Sequence, residues 1–125
     1  MVTVPLLMLV GLLLAGVAVA LLLARATRRR AQPAYLTDHG QEAEVIVNGS
    51  YRPAVVAVRK GVPVRLRFVR LDDNPCSERV IFEGFRVNRA LAPYATTEVE
   101  LLPDRAGEFL FTCQMGMYQG WLVVR

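Results

Sequence analysis

Histidine is almost absent from this 125-residue chain; His39 is its one representative. That absence weighs against a blue-copper electron-transfer site, which needs two histidines beside its cysteine. Cysteine is scarce too, with only Cys76 and Cys113. Two cysteines and no further histidine fall short of the four Cys and His ligands usual for structural zinc. No histidine stands beside a serine or cysteine, no glycine-rich loop is built to cradle phosphate, and no carboxylate pair has a supporting motif. An enzyme is therefore not expected. An excess of one charge is also missing from most of the chain. The net charge of +4 comes from Arg25, Arg28, Arg29 and Arg30, and the rest holds 11 basic against 11 acidic residues. A nucleic-acid footprint is not expected from that balance. The sequence has no internal repeat and no low-complexity tract.

Charge is absent altogether from Val4 to Ala24, where Leu, Val and Ala dominate. A helix needs about 20 apolar residues to cross a bilayer core, and this run meets that length. A cleaved signal peptide would need a basic leading segment, a shorter run and a small-residue cleavage site. The run reads instead as a retained anchor over residues 1–24. Residues 25–41 read as a basic flank and linker, with Pro33 and little periodicity, and 42–125 as the folded domain. Arginine-rich flanks stay on the cytoplasmic side, so the domain is expected to face the cytoplasm.

The domain reads as an all-β, Greek-key sandwich. Short β-rich runs cover Glu44–Asn48, Ala54–Val58, Val64–Arg70, Val80–Phe82, Thr96–Leu102, Glu108–Cys113 and Trp121–Val124. Turn-forming residues separate them, such as Asn48-Gly49-Ser50 and Asp72-Asp73-Asn74-Pro75. Val64, Leu66 and Phe68 share one strand face, and Glu98 and Glu100 point away from Val99 and Leu101. About seven short strands in this length suit a sandwich. By the same alternation Phe109, Phe111 and Cys113 share a face, so Cys113 is expected to point inward at its strand's end.

Cys113-Gln114-Met115-Gly116-Met117 places three sulfur side chains within five positions. Thiolates and thioethers are soft donors that select copper(I). Met115 and Met117 also have a plainer reading as gap-filling core residues. Cys76 and Cys113 have one as a disulfide, which a cytoplasmic location disfavours. Glu78, two residues after Cys76, shares its face if both lie on a strand, and offers an oxygen ligand there. Asp72 and Asp73 read as turn formers. Tyr118 and Trp121 flank the methionine loop and either shield a metal or close the core.

The chain resembles the cupredoxin-like copper-binding domains found as membrane-anchored copper chaperones beside copper-exporting P-type ATPases. The resemblance runs from Val45-Ile46-Val47-Asn48-Gly49-Ser50-Tyr51-Arg52-Pro53 through Lys60-Gly61-Val62-Pro63-Val64-Arg65-Leu66. It continues through Asn74-Pro75-Cys76-Ser77-Glu78-Arg79-Val80 to Phe111-Thr112-Cys113-Gln114-Met115-Gly116-Met117 and Gly120. The resemblance implies a copper(I) site of Cys76, Cys113, Met115 and Met117 holding one or two ions, with a copper-transporting P-type ATPase as partner. It also places Cys76 where a blue-copper protein has its first histidine. Gln114 stands where many relatives have glycine, a departure expected to affect the loop more than ligation. An electron-transfer or oxidase-subunit domain and a metal-free interaction module are the competing readings.

Overall fold

The computed structural model describes residues 3–28 and 31–125. They fall into two compact units, divided between Arg30 and Ala31. The first is a single helix, α1 (Thr3–Arg28), containing an uncharged stretch, Val4–Ala24, long and apolar enough to cross a membrane. It is apolar on every face, so it has no polar stripe to turn toward water. Of the arginines expected to set the topology, Arg29 and Arg30 lie outside the described residues, as do the side chains of Arg25 and Arg28.

The second unit is built of strands β1 (Gln32–Pro33), β2 (Tyr35–Thr37), β3 (Gly40–Val47), β4 (Tyr51–Arg52), β5 (Val55–Val58), β6 (Val64–Arg70), β7 (Arg79–Phe82), β8 (Val87–Ala90), β9 (Thr96–Leu101), β10 (Gly107–Thr112) and β11 (Gln119–Val124). They form two sheets, in the orders β1-β5-β11-β10-β7-β8 and β2-β3-β6-β9, with β4 on β3. The chain passes repeatedly between the sheets: β5 lies in one, β6 in the other, β7 and β8 in the first again, β9 in the second. The expected all-β sandwich is therefore the observed architecture.

One expectation changes. The segment read as linker is not one after Ala31. Gln32 and Pro33 pair in parallel with Val56 and Ala57, and Tyr35–Thr37 pair with Gly40–Glu42. His39 therefore belongs to the folded unit, in the turn between β2 and β3. These strands were hidden because two or three mostly exposed residues are too few to show a period-two apolar pattern. β8, with exposed Asn88, Arg89 and Ala90, shows no such pattern either.

Alternation sets the core. Along β6, Val64, Leu66, Phe68 and Arg70 are buried and the residues between them are half-buried. Outward-facing Arg65 and Arg67 meet Glu42, Glu44, Glu98 and Glu100 across the neighbouring strands. Such exposed pairs contribute about 0–1 kcal/mol each, so the core dominates stability. That core holds Phe68, Phe82 and Phe111, all fully buried, with Tyr51 against Phe68 and Phe111 and Tyr118 against Tyr51, at centroid separations of 5.0–6.1 Å across the cluster. Gly120 pairs directly with Phe111, and a Cβ there would overlap the Phe111 ring. Glycine at 120 is thus what lets β11 pass beside that ring.

Candidate metal centre

Two loops at one end of the sandwich bring Cys76 against Met115 and Met117, with Cys113 buried at the base of the second. The first joins β6 to β7 and contains a 3-10 turn, Pro75–Ser77. Asn74 caps the turn, its side-chain oxygen accepting the Cys76 N–H at 3.0 Å, and Pro75 pre-sets the turn's first φ. The second loop joins β10 to β11 and closes on Cys113. The Cys113 N–H donates to the Tyr118 carbonyl, and the Gly116 N–H donates to the Cys113 carbonyl. Gly116 takes φ +70°, which a side-chain-bearing residue adopts only at a cost.

The Cys76 Sγ lies 3.5 Å from the Met115 Sδ and 3.4 Å from the Met117 Sδ. Cys113 is buried beneath the loop at 1% exposure, whereas Met115 and Met117 are 65% and 70% exposed. The Cys113 Sγ accepts the Tyr118 N–H at 3.3 Å. Both cysteines are free thiols. Methionines this exposed are not core filler, so their plainer reading does not describe them. Cys113 does point inward at the end of its strand, beside Phe111.

Glu78 is placed differently from the expectation. Cys76 sits in a 3-10 turn rather than a strand, so the two-residue alternation that put Glu78 on its face does not apply. Glu78 is exposed, and its carbonyl accepts the Leu91 N–H. Among the described residues no three His, Cys, Asp or Glu side chains gather as a metal cluster. His39 lies at the Gly40 end of β3, whereas Val47 at its other end pairs with Arg70 beside the Cys76 loop. Seven residue steps along the strand separate those ends, about 23 Å. Trp121 is 42% exposed and alternates with inward-facing Leu122 and Gly120, so it does not close the core; the buried Tyr118 does.

A polar network beneath the sulfurs escaped the sequence reading. Arg70 is 2% exposed and spends all three guanidinium nitrogens there. Its Nη1 donates to the Leu91 carbonyl at 2.8 Å, its Nη2 to the Asn74 carbonyl at 2.8 Å, and its Nε to the Ser77 Oγ at 2.9 Å. Asp72 accepts from the Ser77 hydroxyl, the Gly49 N–H and the Tyr118 hydroxyl. Burial acts to raise the Asp72 carboxyl, but these bonds and Arg70 outweigh it and hold it below the usual range. Desolvation first, and Asp72 second, push the Tyr118 hydroxyl up. Arg70 and Asp72 thus tie the Cys76 turn and the residue after Met117 to one anchor. The signal was present in the sequence: Arg70 continues the inward parity of Val64, Leu66 and Phe68.

The candidate donors are all soft, two thiols and two thioethers, and among the described residues no histidine or acidic cluster joins them. They fit copper(I) and suit neither zinc nor hard cations.

A model of the cupredoxin-like domain matches residues 12–124. The chain belongs to the cupredoxin-like domain family. Among solved structures, this cupredoxin-like chain is similar to a copper-binding protein determined by NMR in its apo form. That protein is 37% identical, with a TM-score of 0.73, covering 76% of this chain and 97% of its own. The metal-binding domain of the Streptococcus pneumoniae D39 Cu(I)-exporting P-type ATPase CopA, solved with Cu(I), shares the fold. Its identity is 23% and its TM-score 0.74, covering 76% of this chain and 95% of that one. A chain of a heme-copper terminal oxidase dimer matches in fold at 15% identity and a TM-score of 0.53, covering 92% and 97%. Comparison with curated proteins found no match.

Proposed function

We propose that this cupredoxin-like domain binds copper(I) through Cys76, Cys113, Met115 and Met117, taking one or two ions, and acts as a membrane-anchored copper chaperone or buffer. The observation that carries the reading is the meeting of Cys76 with both methionine sulfurs at 3.4–3.5 Å, from loops 39 and 41 residues apart in sequence. Nothing in ordinary core packing calls for two exposed thioethers over a thiol. The 37% identical apo copper-binding protein supports it. Glu78 is left out of the proposed ligands, since its placement beside Cys76 depended on a strand that is a turn. In this reading α1 crosses a membrane, the domain faces the cytoplasm, and copper passes to a copper-transporting P-type ATPase.

Copper(I) titration under reducing conditions tests the site. Cys76→Ser and Cys113→Ser should each abolish tight binding, because thiolates are the strongest soft donors present. Met115→Leu with Met117→Leu should keep volume and weaken binding only in part. Cysteine variants that titrate like wild type would sink the assignment, and an intense visible band would point to a Cu(II)–thiolate electron-transfer site instead. For the partner, copper should move to an ATPase metal-binding domain much faster than to a chelator of matched affinity. Equal rates would leave only a passive buffer.

A further inference from the structure

Gln114 is exposed and adjoins a buried cysteine, yet its side chain is not idle. Its Nε2 donates to the Pro75 carbonyl at 2.7 Å, and its Oε1 accepts the Arg79 N–H at 3.1 Å. Pro75 immediately precedes Cys76, and Arg79 opens β7 three residues after it. The two bonds therefore bracket the turn that carries one thiol, and they issue from the residue between Cys113 and Met115. β10 and β7 are paired through Phe111 with Phe82 and Thr112 with Ile81. That pairing stops short of both loops, and Gln114 continues the tie beyond the end of the sheet.

We propose that Gln114 is a positioning residue of the sulfur site: it clamps the Cys76 turn to the Cys113 loop and so sets the approach of the two ligand-bearing loops. The proposal rests on the copper(I) reading. The chemistry demands an amide at this length. A carboxylate accepts from Arg79 but cannot donate to Pro75, an apolar side chain does neither, and glycine has nothing to reach with. Four donors drawn from two loops bind metal well only if the loops stay in register, because ordering them at the moment of binding costs affinity. The anchor under the site, Arg70 with Asp72, holds the loops from below; Gln114 holds them from the solvent side. Opening the clamp also frees the Cys76 turn to swing away from Met115 and Met117, so the clamp should slow ligand exchange.

The experiment compares full-length wild type, Gln114→Ala, Gln114→Leu and Gln114→Glu in detergent micelles. Copper(I) affinity is read by competition with a chelator, copper release by stopped flow, and apo-protein amide exchange at Arg79 by NMR. Two solvent-facing hydrogen bonds are modest in net worth, and their loss should weaken copper about tenfold and speed release by a similar factor. Ala and Leu should behave alike despite their different volumes, and both should accelerate Arg79 exchange. Glu should keep Arg79 protected and fall between wild type and Leu in affinity. Thermal midpoints of the apo forms should stay within a few degrees of wild type, which separates positioning from general support. Arg79 exchange unchanged in Ala and Leu would mean the clamp does not form. Faster exchange with affinity and release within twofold of wild type would mean it forms but positions nothing. Wild type that binds no copper(I) would overturn the copper reading, and this role with it, while the exchange data would still report whether the two bonds exist.

Discussion

Replacing Arg70 with methionine should unfold this domain more readily than any change at the sulfurs. Arg70 is 2% exposed, and three carbon-framed acceptors depend on it within 2.9 Å: the carbonyls of Leu91 and Asn74 and the hydroxyl of Ser77. Asp72 lies 3.4 Å from its Nε. Methionine fills similar space but leaves a partly buried carboxylate without its cation and removes the guanidinium donor from the Leu91 carbonyl, while the Asn74 carbonyl keeps the Ser77 N–H. Removing one partner of a buried ion pair costs about 3–5 kcal/mol. We take about 4 kcal/mol, against a total of roughly 5–15 kcal/mol for a domain of ordinary stability. At about 4 °C or more per kcal/mol, the melting midpoint should fall by some 15 °C. Arg70→Lys should recover less than half of this, because an ammonium cannot serve three divergent acceptors at once. Asp72→Asn combined with Arg70→Met should cost less than the sum of the two single changes, since the pair is removed together. Urea unfolding of the full chain in micelles, followed by fluorescence of Trp121, reads all four variants. Arg70→Met within about 1 kcal/mol of wild type would refute the reasoning, because it would mean that desolvating the guanidinium costs as much as its bonds return.

Gly120→Ala should destabilise by about 1–3 kcal/mol, since the added methyl meets the Phe111 ring across the β10–β11 pair and the fully buried ring has nowhere to go. Gly49→Ala, open in space but at φ +70°, serves as the comparison, and denaturant midpoints decide between them. The Asp72 carboxyl is held below its unfolded value, so its contribution is complete at neutral pH and is lost as pH falls through its folded pKa. Apo stability should therefore drop below about pH 4, and Asp72→Asn should flatten that acid limb while lowering the plateau; a parallel acid limb in the variant would assign the loss elsewhere. A membrane-impermeant thiol reagent should leave Cys76 unmodified in intact cells and modify it once they are opened. Modification in intact cells would place the domain outside.

The fold and three of the four proposed ligands were legible in the chain because they follow from local rules. Period-two alternation makes strands of Val64–Arg70 and Thr96–Leu101, whatever their neighbours, by demanding one dry face. An unbroken uncharged run makes a helix suited to a membrane at Val4–Ala24. Soft-ligand chemistry is a property of side-chain type, so Cys113, Met115 and Met117 declare themselves by proximity in sequence. Edge strands such as Gln32–Pro33 and Val87–Ala90 carry no such signature, because their order comes from pairing with a neighbour already in place. The tertiary structure shows how Cys76, named by the family resemblance but marked by no local pattern, meets the methionines: the chain crosses between sheets from β6 to β7. It also turned Arg70 from a strand-end charge into a buried anchor. Its worth depends on Leu91, Asn74 and Ser77 arriving around it, and no short stretch of sequence encodes that arrival.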